Sequence, residues 1–206
     1  MHEILVSRWK MGKPCIAVCP TQHLEKVVGF DAALPSFDKL LVLQFKAYRR
    51  LRGKALNHFP IYPKQHTILQ QYPMNCAYYV FPDYRTHTQM NHDRLQEYAG
   101  RPYKILDNTW FVEVHSVPKS AKKVSRKQLT TSTRKGRIPS KRWQKLAHEL
   151  DSCQAGFNIA RVDGIYALRD PEERLVEELR VPSGYFSFFY TRIRRTQSSY
   201  KPFITR

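Results

Sequence analysis

Two stretches rich in Val, Leu and Phe, residues 27–34 and 39–47, are separated by a break at Pro35-Ser36. Apolar runs bounded by such a break predict two strands of a hairpin that turns near Phe37. That hairpin sets Asp31 opposite Gln44 and Gly29 opposite Lys46. Side chains alternate along a strand, so Gln44 and Lys46 share one face while Leu43 and Phe45 point the other way. Asp31, Gln44 and Lys46 are thereby expected on one patch of the sheet, with Gly29 leaving room for the lysine. Burying a lysine in a strand as apolar as LLVLQFK costs free energy unless the ammonium is paired or used. The plain alternative is an edge strand with a solvated lysine.

The pattern continues with a helix over residues 2–10 and a short strand or buried loop over 14–20. A second helix is expected over 64–72 and a buried strand over 75–81, closed by Pro82. A helix over 91–98 ends at Gly100, and strands follow at 104–106 and 110–115, the second with Glu113 exposed. A short helix spans 143–150, and a strand pair over 157–168 turns at Asp163-Gly164. Asp170-Pro171-Glu172-Glu173 has a capping residue, a proline at the first helical position and acids in the first turn, and so predicts a helix running to Arg180. Residues 185–193, YFSFFYTRI, read as a buried closing strand or as a platform for stacking bases.

GFDAALP followed by LLVLQFK resembles the core of the PD-(D/E)xK nuclease superfamily, in the variant where Gln replaces the acid before x-Lys. The resemblance covers residues 1–115. It implies a restriction-endonuclease-like fold, a mixed central sheet flanked by helices, here with a C-terminal α+β extension. It implies that Asp31 holds a divalent metal, Mg²⁺ or Mn²⁺, that Gln44 completes the metal site and that Lys46 orients the attacking water. An acid from the helix before the hairpin often joins such sites, which makes Glu3 the candidate and Glu25 its rival. Defence against foreign DNA, as a homodimer or within a larger complex, is the role that the resemblance suggests.

Charge turns the expected partner toward nucleic acid. The 206 residues hold 35 Lys and Arg against 17 Asp and Glu, a formal net charge of +18, which suits a polyanion, DNA first among them. Arg49, Arg50, Arg52 and Lys54 cluster directly after the second strand, beside Tyr48, Phe59 and Tyr62, and suit phosphate contacts. Residues 119–145 contain no acid and read as a mobile basic loop carrying Lys122, Lys123, Arg126, Lys127, Arg134, Lys135, Arg137, Lys141 and Arg142 toward phosphates. The expected organisation is a core over 1–116, this linker over 117–145 and the extension over 146–206. Gln65-His66, at the start of the second helix, is placed to approach the site.

Other chemistry finds little support. Cys15, Cys19 and His23 have zinc-like spacing, but Pro14 and Pro20 bracket the cysteines and no second ligand pair matches, so reduced and mostly buried thiols are expected. His87 and His92 do not share a helix face. There is no Gly-rich phosphate loop, G-x-S-x-G or H-E-x-x-H. No apolar run spans a bilayer and no signal sequence opens the chain, so an intracellular, cytoplasmic protein without membrane association is expected. The expected activity is metal-dependent hydrolysis of DNA phosphodiesters. The alternative is a non-catalytic basic nucleic-acid-binding protein that keeps the same fold.

Overall fold

A computed structural model describes residues 1–13, 15, 17, 19–20, 22, 25–26, 29–36, 39–48, 50–51, 54–55, 57–84, 86–98, 104–130, 136–162, 165–169 and 175–180. Residues 1–158 form one compact unit and 159–206 a second. The first unit therefore takes in residues 117–158 together with the stretch that precedes them.

Helix α1 spans His2–Lys10, as its pattern predicts. Strands β1 (Ala32–Ser36) and β2 (Lys39–Phe45) form the hairpin, with Ala32 opposite Leu43 and Ser36 opposite Lys39. This is the register that sets Asp31 across from Gln44. The chain then makes the short strands β3 (Arg50–Leu51), β4 (Lys54–Ala55) and β5 (His58–Pro60), and helix α2 (Pro63–Leu69). It returns as β6 (Ala77–Pro82), parallel to β2. After helices α3 (His87–Tyr98) and α4 (Lys104–Asp107), β7 (Thr109–Glu113) pairs antiparallel with β6. The sheet of this unit is thus mixed, in the order β1-β2-β6-β7.

Both central strands are buried along almost their whole length, Leu40 to Gln44 in β2 and Ala77 to Phe81 in β6. A strand covered on both faces reads as a continuous apolar run rather than an alternating one, which is the pattern of LLVL. The core packs Ile4 of α1 with Leu41, Leu43, Tyr78, Val80 and Phe111. Beyond β8 (Lys123–Ser125) and α5 (Arg126–Thr130), α6 (Trp143–Asp151) adds Trp143, Leu146 and Leu150 to this core. Arg8, 1% exposed, donates to Asp151 at 2.6 Å and ties α1 to α6. The first residues of β9 (Phe157–Val162) pair with Leu40 and Lys39 of β2. In the second unit the rest of β9, β10 (Ile165–Arg169) and β11 (Leu175–Arg180) form an antiparallel meander.

Several expectations need correction. The first hairpin strand begins at Ala32, not Val27, because a helical turn precedes it. Residues 104–107 are helical, not extended. Residues 175–180 form β11 rather than a helix, held in an antiparallel ladder against β10. Glu113 is buried, not exposed: it accepts hydrogen bonds from Ser116 N, Asn75 N and His115 Nδ1. Segment 119–145 contains β8 and α5, anchored where Val124 pairs with Phe59 and where Leu129 and Ile138 are buried. Of the four cysteines only Cys76 is buried; Cys19 and Cys153 are exposed. The described part of 14–20 contains no strand. The closing segment at 185–193, and Gly100, lie outside the described residues. Among the described residues no helix is long and apolar enough to cross a membrane.

Candidate functional site

The site forms where the N-terminal end of β1 meets the C-terminal end of β2. Glu25 and Lys26 lie in a helical turn that stops at Gly29, whose N–H donates to the Glu25 carbonyl at 2.7 Å with φ at +79°. A left-handed glycine is a common way to end a helix and turn the chain. A Cβ at Gly29 would stand 3.0 Å from Ile68 Cγ2, so this glycine makes room for α2 and not for Lys46 as expected. Gly29→Ala should therefore cost about 1–3 kcal/mol, from the positive φ and the collision with α2 together. Urea denaturation measures this, and an unchanged midpoint would contradict the geometry.

Two residues later the chain reaches Asp31, whose N–H donates to Leu43 O at 3.1 Å and extends the ladder. Asp31 Oδ2 accepts from the backbone N–H of Phe45 and from Gln44 Nε2, both at 2.7 Å. Gln44 Oε1 accepts from Gln65 Nε2 at 2.8 Å, and Gln65 Oε1 accepts from Lys46 Nζ at 2.5 Å. The result is a continuous chain of hydrogen bonds, Lys46 to Gln65 to Gln44 to Asp31. Each amide is oriented by its neighbours, and Gln65 joins the network from α2.

Electrostatics set these groups apart from an ordinary surface cluster. Lys46 is 6% exposed and Gln44 3%. The Lys46 backbone N–H donates to Val80 O at 2.9 Å, and its Nζ lies over the rings of Tyr62 and Tyr79, 5.0 and 5.8 Å from their centroids. Burial lowers the Lys46 pKa to about 8, against the opposing pull of Asp31 and Glu25. Burial, together with the neighbouring Asp31 carboxyl, raises the Glu25 pKa. Two acids held together disfavour double ionisation and favour a shared proton or cation.

These groups line a cavity of about 800 Å³, together with Tyr62, Lys64, Lys26 and Ile68. Asp31, Gln44 and Lys46 come together as expected, and of the two rival acids Glu25 lines the cavity. Glu3 instead contacts His2, at 3.2 Å. Lys26 and Lys64 were not expected as site residues, and Tyr62 only as a neighbour of the basic cluster after β2. Their placement depends on the helical turn and α2 packing beside β2, which no local pattern encodes.

The basic residues divide. Arg126 grips the Asp83 carboxylate through Nε and Nη2, Lys141 pairs with Glu149, and Arg142 lies 4.8 Å over the Trp110 ring. Lys122, Lys123, Lys127 and Arg137 are exposed. The pairing of β5 with β8 puts Lys123 opposite Pro60, which itself lines the cavity. Arg50 and Lys54 lie in β3 and β4. Arg49, Arg52, Arg134 and Lys135 lie outside the described residues.

The donor set fits a hard divalent cation. Among the described residues no group of three or more His, Cys, Asp and Glu gathers as a metal cluster. The carboxylates of Glu25 and Asp31 suit Mg²⁺ or Mn²⁺, which take oxygen ligands and, for Mg²⁺, commonly keep several waters. It does not suit zinc, which favours thiolate and imidazole ligands. Gln44 turns its NH₂, not its carbonyl, toward Asp31, so here it orients the carboxylate rather than offering a ligand oxygen. Compared with models of known protein families, with curated proteins and with solved structures, the chain has no match.

Proposed function

We propose that this protein is a metal-dependent nuclease that hydrolyses DNA phosphodiester bonds. The observation that carries this reading is the pair of carboxylates, Glu25 and Asp31, lining one cavity with a buried lysine. The order β1-β2-β6-β7, with a helix between the parallel strands, agrees with the restriction-endonuclease-like core that the sequence resembles. Glu25 and Asp31 would hold the cation, Mg²⁺ or Mn²⁺. When bound, the cation supplies Lewis-acid polarisation of the scissile phosphate. Gln44 and the Phe45 N–H hold Asp31 in place. Lys46 donates to the attacking water or to a phosphate oxygen and stabilises the charge that develops there, while Gln65 fixes the position of its Nζ. The exposed lysines around the cavity hold the flanking phosphates.

The second reading, a non-catalytic DNA-binding protein, is favoured by one observation: Gln44 is neutral, and among the described residues two carboxylates line the cavity to hold the cation. Incubating plasmid and oligonucleotide DNA with the full chain separates the two. A nuclease cuts in Mg²⁺ or Mn²⁺ and stops in chelator, whereas a binder retains DNA in chelator and cuts under neither condition.

A further inference from the structure

Tyr62 lines this cavity and has no part in the proposed chemistry. It is 60% exposed, in contrast to Tyr48 and Phe59, which stack on each other inside the protein with centroids 4.2 Å apart. Tyr62 stands directly before Pro63, the first residue of α2, with an extended backbone at φ −90° and ψ 117°. The proline and the helix behind it restrict where the ring can go. The Lys46 ammonium lies on one side of the ring, so the exposed surface falls on the rest of it. A large, exposed aromatic lining a cavity whose walls also carry the cationic side chains of Lys64 and Lys26 is what a base-stacking platform requires.

Depth supplies the second argument. Gln44 and Lys46 are almost closed to solvent, so a phosphate that reaches them has to enter the cavity. At about 800 Å³ the cavity falls within the roughly 300–1,000 Å³ of pockets that enclose one small ligand. That is the scale of one nucleotide. An unpaired strand can turn one nucleotide inward and lay the neighbouring base on an aromatic ring, whereas a paired strand must first unstack and unpair.

We infer that the site takes unpaired nucleic acid, with Tyr62 stacking on a base next to the phosphate held at Lys46. The inference rests on the nuclease reading for the identity of the polyanion but not on cleavage. Its test is therefore a binding measurement in chelator: fluorescence anisotropy of the full chain with a labelled 12-nucleotide single-stranded DNA and with the matching blunt duplex, at about 150 mM salt, where purely electrostatic binding is weakened. The single strand should bind at least about 10-fold more tightly than the duplex. Tyr62→Ala and Tyr62→Leu should each lose about 10-fold or more for the single strand with little change for the duplex, and Tyr62→Phe should retain affinity, because stacking needs the π face and not the hydroxyl. Equal binding of duplex and single strand, no binding of the single strand, or unchanged affinity in Tyr62→Ala overturns the inference. Absence of cleavage in Mg²⁺ with these preferences intact would remove the nuclease reading and leave this one standing.

Discussion

Replacing Asp31 with Asn is expected to slow metal-dependent DNA cleavage by about 1,000-fold or more without loosening the fold. The substitution keeps shape and hydrogen bonding: an amide oxygen at Oδ2 still accepts from the Phe45 N–H and from Gln44 Nε2. What it removes is one of the two negative charges that would hold the cation. A 1,000-fold loss corresponds to about 4 kcal/mol of transition-state stabilisation. The neighbouring Asp31 carboxyl is also one cause of the raised Glu25 pKa, so the variant relieves a like-charge pair and should unfold no more easily than the native chain. DNA binding in chelator should be as tight or tighter, because the phosphate then meets one fewer carboxylate. Single-turnover cleavage, anisotropy and thermal unfolding together test this. An Asp31→Asn protein that cuts at the native rate would remove Asp31 from the metal site and the hydrolytic reading with it.

The part of this site that could be read from sequence is the part built by neighbouring strands. The break at Pro35-Ser36 and the alternation around Gln44 set the register of β1 against β2, and that register alone brings Asp31, Gln44 and Lys46 together. The same local reasoning failed where a single backbone angle decided the outcome. Gly29-Phe30 looks extended, yet Gly29 is left-handed, its N–H returns to the Glu25 carbonyl and the strand starts only at Ala32. It failed again where long-range contacts override composition. The basic span 119–145 looks like a solvated loop until Val124 is paired with Phe59, which draws Lys122 and Lys123 toward the rim of the cavity. Burial of Glu113 was hidden for a related reason. Its hydrogen-bond donors come from both its own turn and distant Asn75, and a carboxylate satisfied in that way can be buried. In residues 170–180 the capping signal was strong, but the antiparallel ladder with β10 won over local helix preference at 175–180. Propensity is a weak prior beside such pairing.

Replacing Lys46 with Met should stabilise the protein at neutral pH while abolishing cleavage, an opposition that an ordinary structural lysine does not produce. Lys46 is 6% exposed and its ammonium donates to a neutral amide oxygen, that of Gln65. The attraction of Asp31 and Glu25 fails to offset its burial, which leaves the pKa at about 8 against an ordinary 10.5. With the native pKa below the unfolded one, the charged form is favoured by unfolding. At pH 7 this difference is worth about 3 kcal/mol against the fold. Methionine has a similar length, fills the space beside Tyr62 and Tyr79 and carries no charge. It forfeits the bond to Gln65, so a net gain of about 1–2 kcal/mol is expected in urea denaturation. The pH dependence isolates the cause. Between pH 8 and 10.5 the unfolded chain holds more protons at residue 46 than the native one, so native stability rises with pH across that window relative to the variant. The advantage of Lys46→Met should therefore be largest below pH 8 and fade toward pH 10.5. A variant that is less stable at pH 7, or whose advantage does not change with pH, would mean that the lysine is held for structure. Stability gained as activity disappears would instead mark Lys46 as a charge that the fold bears for the sake of the phosphate it meets.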